Sequence, residues 1–281
     1  MNIKITADST CDLSQELVSA NNITIMPLKV AKNGEYFSDG VDITPADIFA
    51  HVAAGGDLCS TAAVNIDEYR TFFKRFNREY DAVIHINIGA KFSSCYQNAC
   101  IAAEEFENVY VIDSKNLSTG QGLVVLEACE KAADCTDAKA LAEQLRSLTD
   151  RVEASFILDR LDYMVKGGRC SMVAALGANL LKLKPCIGVI NGEMKVVKKY
   201  RGSYAKCLRE YIGQRLADRD DIVRDKIFIT HTPVSDGDMQ VARDTVNQYG
   251  GFKRVMETSA GCTVSCHCGP GTLGVLFIRS R

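Results

Sequence analysis

The feature that most constrains this chain is a regular alternation of short apolar runs and longer helical segments through its first half. Residues 3–7, 82–88 and 109–112 are apolar runs of strand length. Between and after them, residues 67–80, 92–106, 121–133 and 136–148 carry helical periodicity. Tyr69, Phe72, Phe73 and Phe76 fall on one side of the first of these, and Thr136 stands as an N-cap for the last. Strands separated by a helix pair most readily in parallel, which predicts βα units and a largely parallel sheet. A short helix is expected at 14–19 and an extended run at 23–30, where Pro27 argues for a sheet edge or a strand end. Thr44-Pro45 opens a further helix with proline in its first turn, and Gly55 and Gly56 close it.

The pattern changes after a polar stretch at 149–153. Strands are expected at 156–158, 227–230, 253–257 and 273–278, and helices at 204–216 and 240–249. Residues 161–165 read as a helical turn, and Ser171 as the cap of a small apolar helix reaching about residue 178. Asn191-Gly192, between runs at 183–190 and 194–197, is a strong hairpin signal. Hairpin and crossover signals together predict a mixed sheet. The fold class is therefore α/β with two domains, residues 1–152 with a largely parallel sheet and residues 153–281 with a mixed one.

At 281 residues the chain is near the length at which one core gives way to two. A net charge of -2 provides no field to gather nucleic acid. No apolar run reaches the eighteen or so residues that cross a bilayer, and the first residues lack a signal-peptide core, so a cytoplasmic protein is expected. Twelve cysteines spread along the whole chain fit a reducing compartment, most of them acting as small buried hydrophobes. Cys262, Cys266, His267 and Cys268 stand too close together for a paired-cysteine zinc site, and no second cluster completes one. Nothing pairs Asp42 and Asp47 with a second carboxylate site for magnesium. No cofactor or metal is expected.

Hydroxyl-rich clusters recur just beyond expected strands: Asp8-Ser9-Thr10, Ser60-Thr61, Ser93-Ser94, and Asp113-Ser114 with Ser118-Thr119. Each is readable as a helix cap. Together they also read as donors lining the crevice where open α/β sheets bind ligands, ready for an anion. Lys166-Gly167-Gly168-Arg169 is a glycine turn between two bases without phosphate-loop spacing. Six bases between Lys182 and Arg201 read equally as a solvated face or a docking patch for an acidic partner. His267, before Gly269-Pro270-Gly271, is expected at a strand entrance. A hydrolase using Ser9 or Ser94 with His267 as base lacks the usual Gly-x-Ser-x-Gly elbow.

Taken jointly, these motifs resemble the DegV family, bacterial fatty-acid-binding proteins that serve as substrate-carrying subunits of fatty acid kinase. The likeness spans nearly the whole chain. It rests on Asp8-Ser9-Thr10-Cys11-Asp12-Leu13, Cys59-Ser60-Thr61-Ala62-Ala63, Phe92-Ser93-Ser94-Cys95-Tyr96-Gln97, Asp113-Ser114, residues 118–122, 161–171 with the central Gly167-Gly168-Arg169, Leu183-Lys184-Pro185, Arg201-Gly202, and His267 to Gly274. Ala62, Ala63, Ser94, Cys95 and Cys268 depart from the family's pattern. The resemblance implies a non-catalytic carrier that holds a long-chain fatty acid, for example of 16–18 carbons, between its domains. It implies that Thr61 and Ser93 bind the carboxylate, with Ser94 or Ser60 nearby and Arg169 and His267 close to the head group. It also implies an ATP-dependent kinase subunit as partner, no nucleic acid, no transmembrane segment, and at most transient membrane contact. Ser94 would narrow the space beside the carboxylate. Ile157, Leu158, Leu161 and Met164, with the helix Met172-Val173-Ala174-Ala175-Leu176, are tunnel-wall candidates. The alternatives are a protein of the same fold with another anionic or apolar ligand, and a serine-dependent hydrolase.

Overall fold

The computed structural model describes residues 1–170 and 183–281. Ser171, Lys182 and the expected apolar helix that includes Met172 to Leu176 lie outside the described residues. The first half contains β1 (Ile3–Asp8), α1 (Gln15–Ala20), β2 (Thr24–Met26), β3 (Lys29–Lys32), β4 (Glu35–Ser38), α2 (Pro45–Ala53), β5 (Ser60–Ala62), α3 (Ile66–Lys74), β6 (Ala82–Asn87), α4 (Cys95–Ala103), β7 (Val109–Asp113), α5 (Thr119–Ala132) and α6 (Ala138–Thr149). The second half contains β8 (Val152–Leu158), α7 (Asp162–Gly167), β9 (Leu183–Ile190), β10 (Glu193–Arg201), α8 (Tyr204–Leu216), β11 (Ile222–His231), α9 (Asp236–Gln248), β12 (Arg254–Ser259), α10 (Cys262–Cys268) and β13 (Thr272–Arg279).

The architecture is two-domain α/β. The N-terminal sheet, ordered β2-β1-β6-β7, is parallel throughout. The C-terminal sheet, ordered β10-β9-β8-β13-β11-β12, is antiparallel except for the β11–β12 pair. Pro27 separates two strands that go to different sheets. Before it, β2 is an edge strand of the parallel sheet; after it, β3 is the centre of a small antiparallel sheet ordered β4-β3-β5. The sequence reading treats 23–30 as one extended run and misses this third sheet, whose strands have only three or four residues.

Local chemistry fixes many boundaries. A capping box between Thr44 and Asp47 starts α2, with Pro45 in the first turn. Asn65 and Glu68 form another at α3. That helix ends at Lys74, earlier than its aromatic pattern predicts, while Tyr69, Phe72, Phe73 and Phe76 are all buried as expected. The cap of α6 is Asp137, whose carboxylate accepts from the Ala140 N–H at 3.0 Å, and not the expected Thr136. Asn191 and Gly192 both have positive φ (54° and 74°), as a two-residue hairpin turn demands.

The two halves are joined by α5. Leu123, Val124, Val125, Leu126 and Ala128 are buried in a core shared by β1, β6 and β7 on one side and by Ala154, Phe228, Leu276 and Ile278 on the other. A Cβ on Gly122 would lie 2.7 Å from the Cys11 carbonyl oxygen, so glycine lets this helix press against the end of β1. Lys226 of β11, 1% exposed at its side chain, meets Glu127 at 2.8 Å and Glu130 at 2.5 Å on the same helix. A further core, with Ile157, Tyr211 and Phe277, lies under α8 and α9.

Three aspartates organise the ends of the parallel strands. Asp8 accepts from the Ile88 N–H at 2.7 Å and from the Asn87 and Gln121 side chains at 3.2 and 3.0 Å. Asp12 and Asp39 reach across to the C-terminal half. Asp12 accepts from the Gly261 N–H at 2.8 Å and the Ser118 hydroxyl at 2.5 Å. Asp39 accepts from the N–H groups of Cys262 and Thr263 at 2.9 and 3.0 Å, from the Thr263 hydroxyl at 2.6 Å, and from the Ser9 hydroxyl at 3.1 Å. The start of α10 is thus capped from the other half of the molecule.

Two outcomes are expected. Asp39→Ala strands four donors and should lower unfolding stability by about 3 kcal/mol, read by urea denaturation; an unchanged midpoint would refute this docking role. Burial raises the Asp12 carboxyl to about 8, so its neutral form predominates at pH 7. A carboxyl raised on folding contributes stability that is full below its unfolded pKa of about 3.9 and is lost as pH rises through the folded value. Asp12→Asn, a neutral isostere, should therefore gain on the wild type between pH 4 and about 8.

Candidate functional site

A cleft of about 130 Å³ opens at the junction of the two halves. The N-terminal half contributes Leu28, β5 with the residue after it, Ile88, Phe92 to Ser94, and Leu117. The C-terminal half contributes Arg169, Met194 and one face of α10. Each polar group is placed by a specific local device. Thr61 sits on β5, opposite Val30 of β3. Ser93 and Ser94 precede α4, and the Ser93 hydroxyl accepts from the Cys95 N–H at 3.2 Å. Arg169 follows Gly168, whose φ of 67° ends α7, and it donates to the Gly167 carbonyl at 2.8 Å.

His267 is not at a strand entrance. It lies in the last turn of α10, and the Gly269-Pro270-Gly271 turn follows the helix. The segment Cys262-Thr263-Val264-Ser265-Cys266 has weak helix propensity, so its helical form depends on the caps from Asp12 and Asp39 rather than on its own sequence. The ring's Nε2 is 2.8 Å from the Thr61 hydroxyl. Its Nδ1 is buried without a partner among the described residues and faces Gly167, where a Cβ would come within 2.4 Å of it. Burial, helped by the nearby Arg169 charge, lowers the imidazole to about 4, so the ring is neutral at pH 7.

Of the expected site residues, Thr61, Ser93, Ser94, Arg169 and His267 line this one cleft. Ser60 does not: strand alternation sends it to the other face of β5, where it is exposed. Ser94 is exposed at the rim with φ −73°, a conformation any residue adopts. The other hydroxyl clusters are used internally. Ser9 serves Asp39 and the Leu28 N–H, and Thr10 serves Asp8 and Gln121. Ser114 donates to the Asn116 carbonyl, Ser118 to Asp12, and Thr119 pairs with Thr230. These hydroxyls neither face the cleft nor cap helices through their side chains; they bond groups of the interior.

A second cavity, small at about 30 Å³ and mainly apolar, abuts the first. Ala154, Phe156, Thr230, Thr272, Gly274 and Leu276 contribute to its walls. Leu117, Val264 and Cys268 line both cavities and form the partition between them. A Cβ on Gly274 would lie 3.1 Å from Phe156 Cβ and 3.4 Å from Leu276 Cδ1, so glycine here leaves room on this face of the sheet. The sequence reading misses these wall residues, since an apolar residue facing a cavity has the same local signature as one in a core. Ile157 is removed from the wall candidates, because it packs on the opposite face with Tyr211. Leu158 and Met164 are buried in the cluster that includes Phe92, Met194 and Val264, and Leu161 packs against it.

The cysteines of α10 are apolar packing. Cys262 and Cys266 cluster with Val30, Ile43 and Ile48, and burial raises the Cys268 thiol to about 12. All twelve cysteines are buried or half-buried. Among the described residues no group of His, Cys, Asp and Glu could hold a metal, and no helix is long and apolar enough to cross a membrane. Nor is a serine triad assembled among them: the ring bonds a threonine, Ser9 is committed to Asp39, and no carboxylate orients Nδ1.

Fold and cleft together define a two-domain α/β protein with a donor-rich cleft at its domain junction and a small apolar cavity behind it. The chain belongs to the DegV family: a family model described as "Uncharacterised protein, DegV family" matches residues 2–280. A DegV domain-containing protein of Clostridium acetobutylicum is 30% identical over 99% of this chain and 98% of its own length. Among solved structures, a fatty-acid-binding DegV family protein from Thermus thermophilus is 26% identical, with TM-score 0.89 over 99% of this chain and 100% of its own. A stearic-acid-binding protein from Eubacterium ventriosum shares the fold at 24% identity and TM-score 0.84.

The neutral state of His267 is directly testable. An imidazole lowered on folding contributes stability that is full above its unfolded pKa of about 6.5. That contribution is lost as pH falls toward about 4. Nuclear magnetic resonance of the His267 ring should show a midpoint near 4; a midpoint near 6.5 would mean that the ring is not buried as described.

Proposed function

We propose that this chain binds a long-chain fatty acid in the interdomain cleft and presents it to an ATP-dependent partner kinase for acyl-phosphate formation. The role is binding, and phosphorylation belongs to the partner. The observation that carries the reading is the convergence of Thr61, Ser93, Arg169 and His267 at one cleft that backs onto an apolar cavity. The fatty-acid-binding relative from Thermus thermophilus supports it.

In this reading the carboxylate takes the Thr61 and Ser93 hydroxyls, with Arg169 at the mouth. A buried carboxylate is tolerated only where several donors meet it. The tautomer of His267 matters. Orphaned buried N–H groups are rarer than under-satisfied acceptors, which favours a bare Nδ1 against Gly167 and a proton on Nε2. Nε2–H then donates to Thr61 Oγ1, and the threonine's own proton is free to point at the ligand. The tail runs along Leu117, Val264 and Cys268 toward the small apolar cavity beneath Gly274, which these side chains must part to widen, and gains about 0.8 kcal/mol for each buried methylene. The tail thus supplies most of the affinity, and the head group fixes orientation.

Mass spectrometry of a solvent extract of the purified protein should find a fatty acid near one equivalent. Thr61→Val keeps the shape and removes the donor, and should weaken binding of an added fatty acid by about tenfold or more. No acyl chain in the extract, together with no uptake from a fatty-acid mixture, would sink the reading.

A further inference from the structure

A second polar cavity, of about 200 Å³, lies at the junction of the two halves and takes no part in the cleft. It is bounded by the β7–α5 loop at Lys115, the crossing at Asp150, Glu153 of β8, the β9–β10 turn at Asn191, Arg215 of α8 and Arg279 of β13. Its charged groups form a continuous arc. Lys115 Nζ meets Asp150 Oδ1 at 2.5 Å, and the Asp150 carbonyl accepts from Arg279 Nη2 at 2.8 Å. Arg279 Nε stands 3.9 Å from Glu153 Oε2, and Glu153 Oε1 accepts from Arg215 Nη2 at 2.5 Å.

Cations are in excess here. Glu153 and Asp221 are two carboxylates beside the three guanidiniums of Arg215, Arg219 and Arg279, and both pair with Arg219, Glu153 at 2.9 and 3.0 Å and Asp221 at 2.8 and 2.6 Å. The Nε–H groups of Arg215 and Arg279 are buried with no hydrogen-bond partner among the described residues. Arg151 adds a further positive charge, with its guanidinium on the carbonyls of Arg279 and Ser280. Unfilled guanidinium donors are costly to bury and match the fork geometry of oxyanions.

We propose that this cavity is an anion site for phosphate or a small phosphomonoester. A dianion matches the unfilled donors of Arg215 and Arg279 and the ammonium of Lys115, which would turn from Asp150 toward it. Asn191, at the hairpin tip, offers a side-chain amide. A ligand there touches both halves of the chain and the hairpin that carries Met194 to the first cleft. Occupancy would therefore tie the halves together.

Isothermal titration calorimetry of the full chain with inorganic phosphate, and separately with glycerol phosphate, at constant ionic strength tests this. Saturable binding near one equivalent is expected, and preference for one titrant distinguishes free phosphate from a phosphomonoester. Arg279→Gln should weaken it by about tenfold or more. Lys115→Gln, at a partly exposed position where folding is not at stake, should weaken it in the same direction. Absence of saturable heat with both titrants, or binding undiminished in Lys115→Gln and in folded Arg279→Gln, would overturn the proposal.

Discussion

Asp39 and Asp12 hold the start of a helix that belongs to the other half of the chain, and the geometry of the cleft depends on that attachment. The first N–H groups of any helix have no intrahelical partner. In α10 those of Cys262 and Thr263 are met by Asp39, while Asp12 takes the N–H of the preceding Gly261. The negative charge of Asp39 also suits the positive end of the helix. One face of the same short helix carries Thr263, Val264, His267 and Cys268 into the cleft. A shift of the helix by part of a turn would take the ring away from Thr61. The capping carboxylates are therefore positioning devices for the site, although neither Asp12 nor Asp39 lines the cleft.

The same interaction explains why most hydroxyls at the strand ends do not face the ligand space. Three buried aspartates must be satisfied, and the nearest donors are Ser9, Thr10 and Ser118. A buried polar group forgoes water only if an internal partner replaces it. These side chains are consumed in building the junction. Thr61 and Ser93 have no aspartate beside them to satisfy; they bond an imidazole and a backbone N–H, both at the cleft wall.

That distinction could not be read from the sequence. The parallel strands, the hairpin at Asn191-Gly192 and helix 204–216 were legible because their signals are local: apolar runs, a turn dipeptide, a 3.6-residue period. The helix bearing His267 was not, because its stabilising partners lie 223 and more residues away. Nor were the third sheet, whose strands are shorter than a period-2 pattern needs, and Ile157, where only the tertiary fold decides which face of the sheet meets the cavity. The motif likeness brought Thr61, Ser93, Ser94, Arg169 and His267 to one list without any local reason, and the fold brings them to one cleft.

The electrostatics of this end of the cleft place neutral donors inside and a cation at the mouth. A charged histidine beside a buried carboxylate would form an ion pair whose separation costs several kcal/mol. Burial and Arg169 keep the His267 ring neutral, so its contribution passes through the Thr61 hydroxyl as a hydrogen bond. Among the described residues that line the cleft, Arg169 carries the full positive charge, and it is at the exposed mouth, where solvent screens it. An anion entering the cleft therefore meets the cation first and neutral donors later.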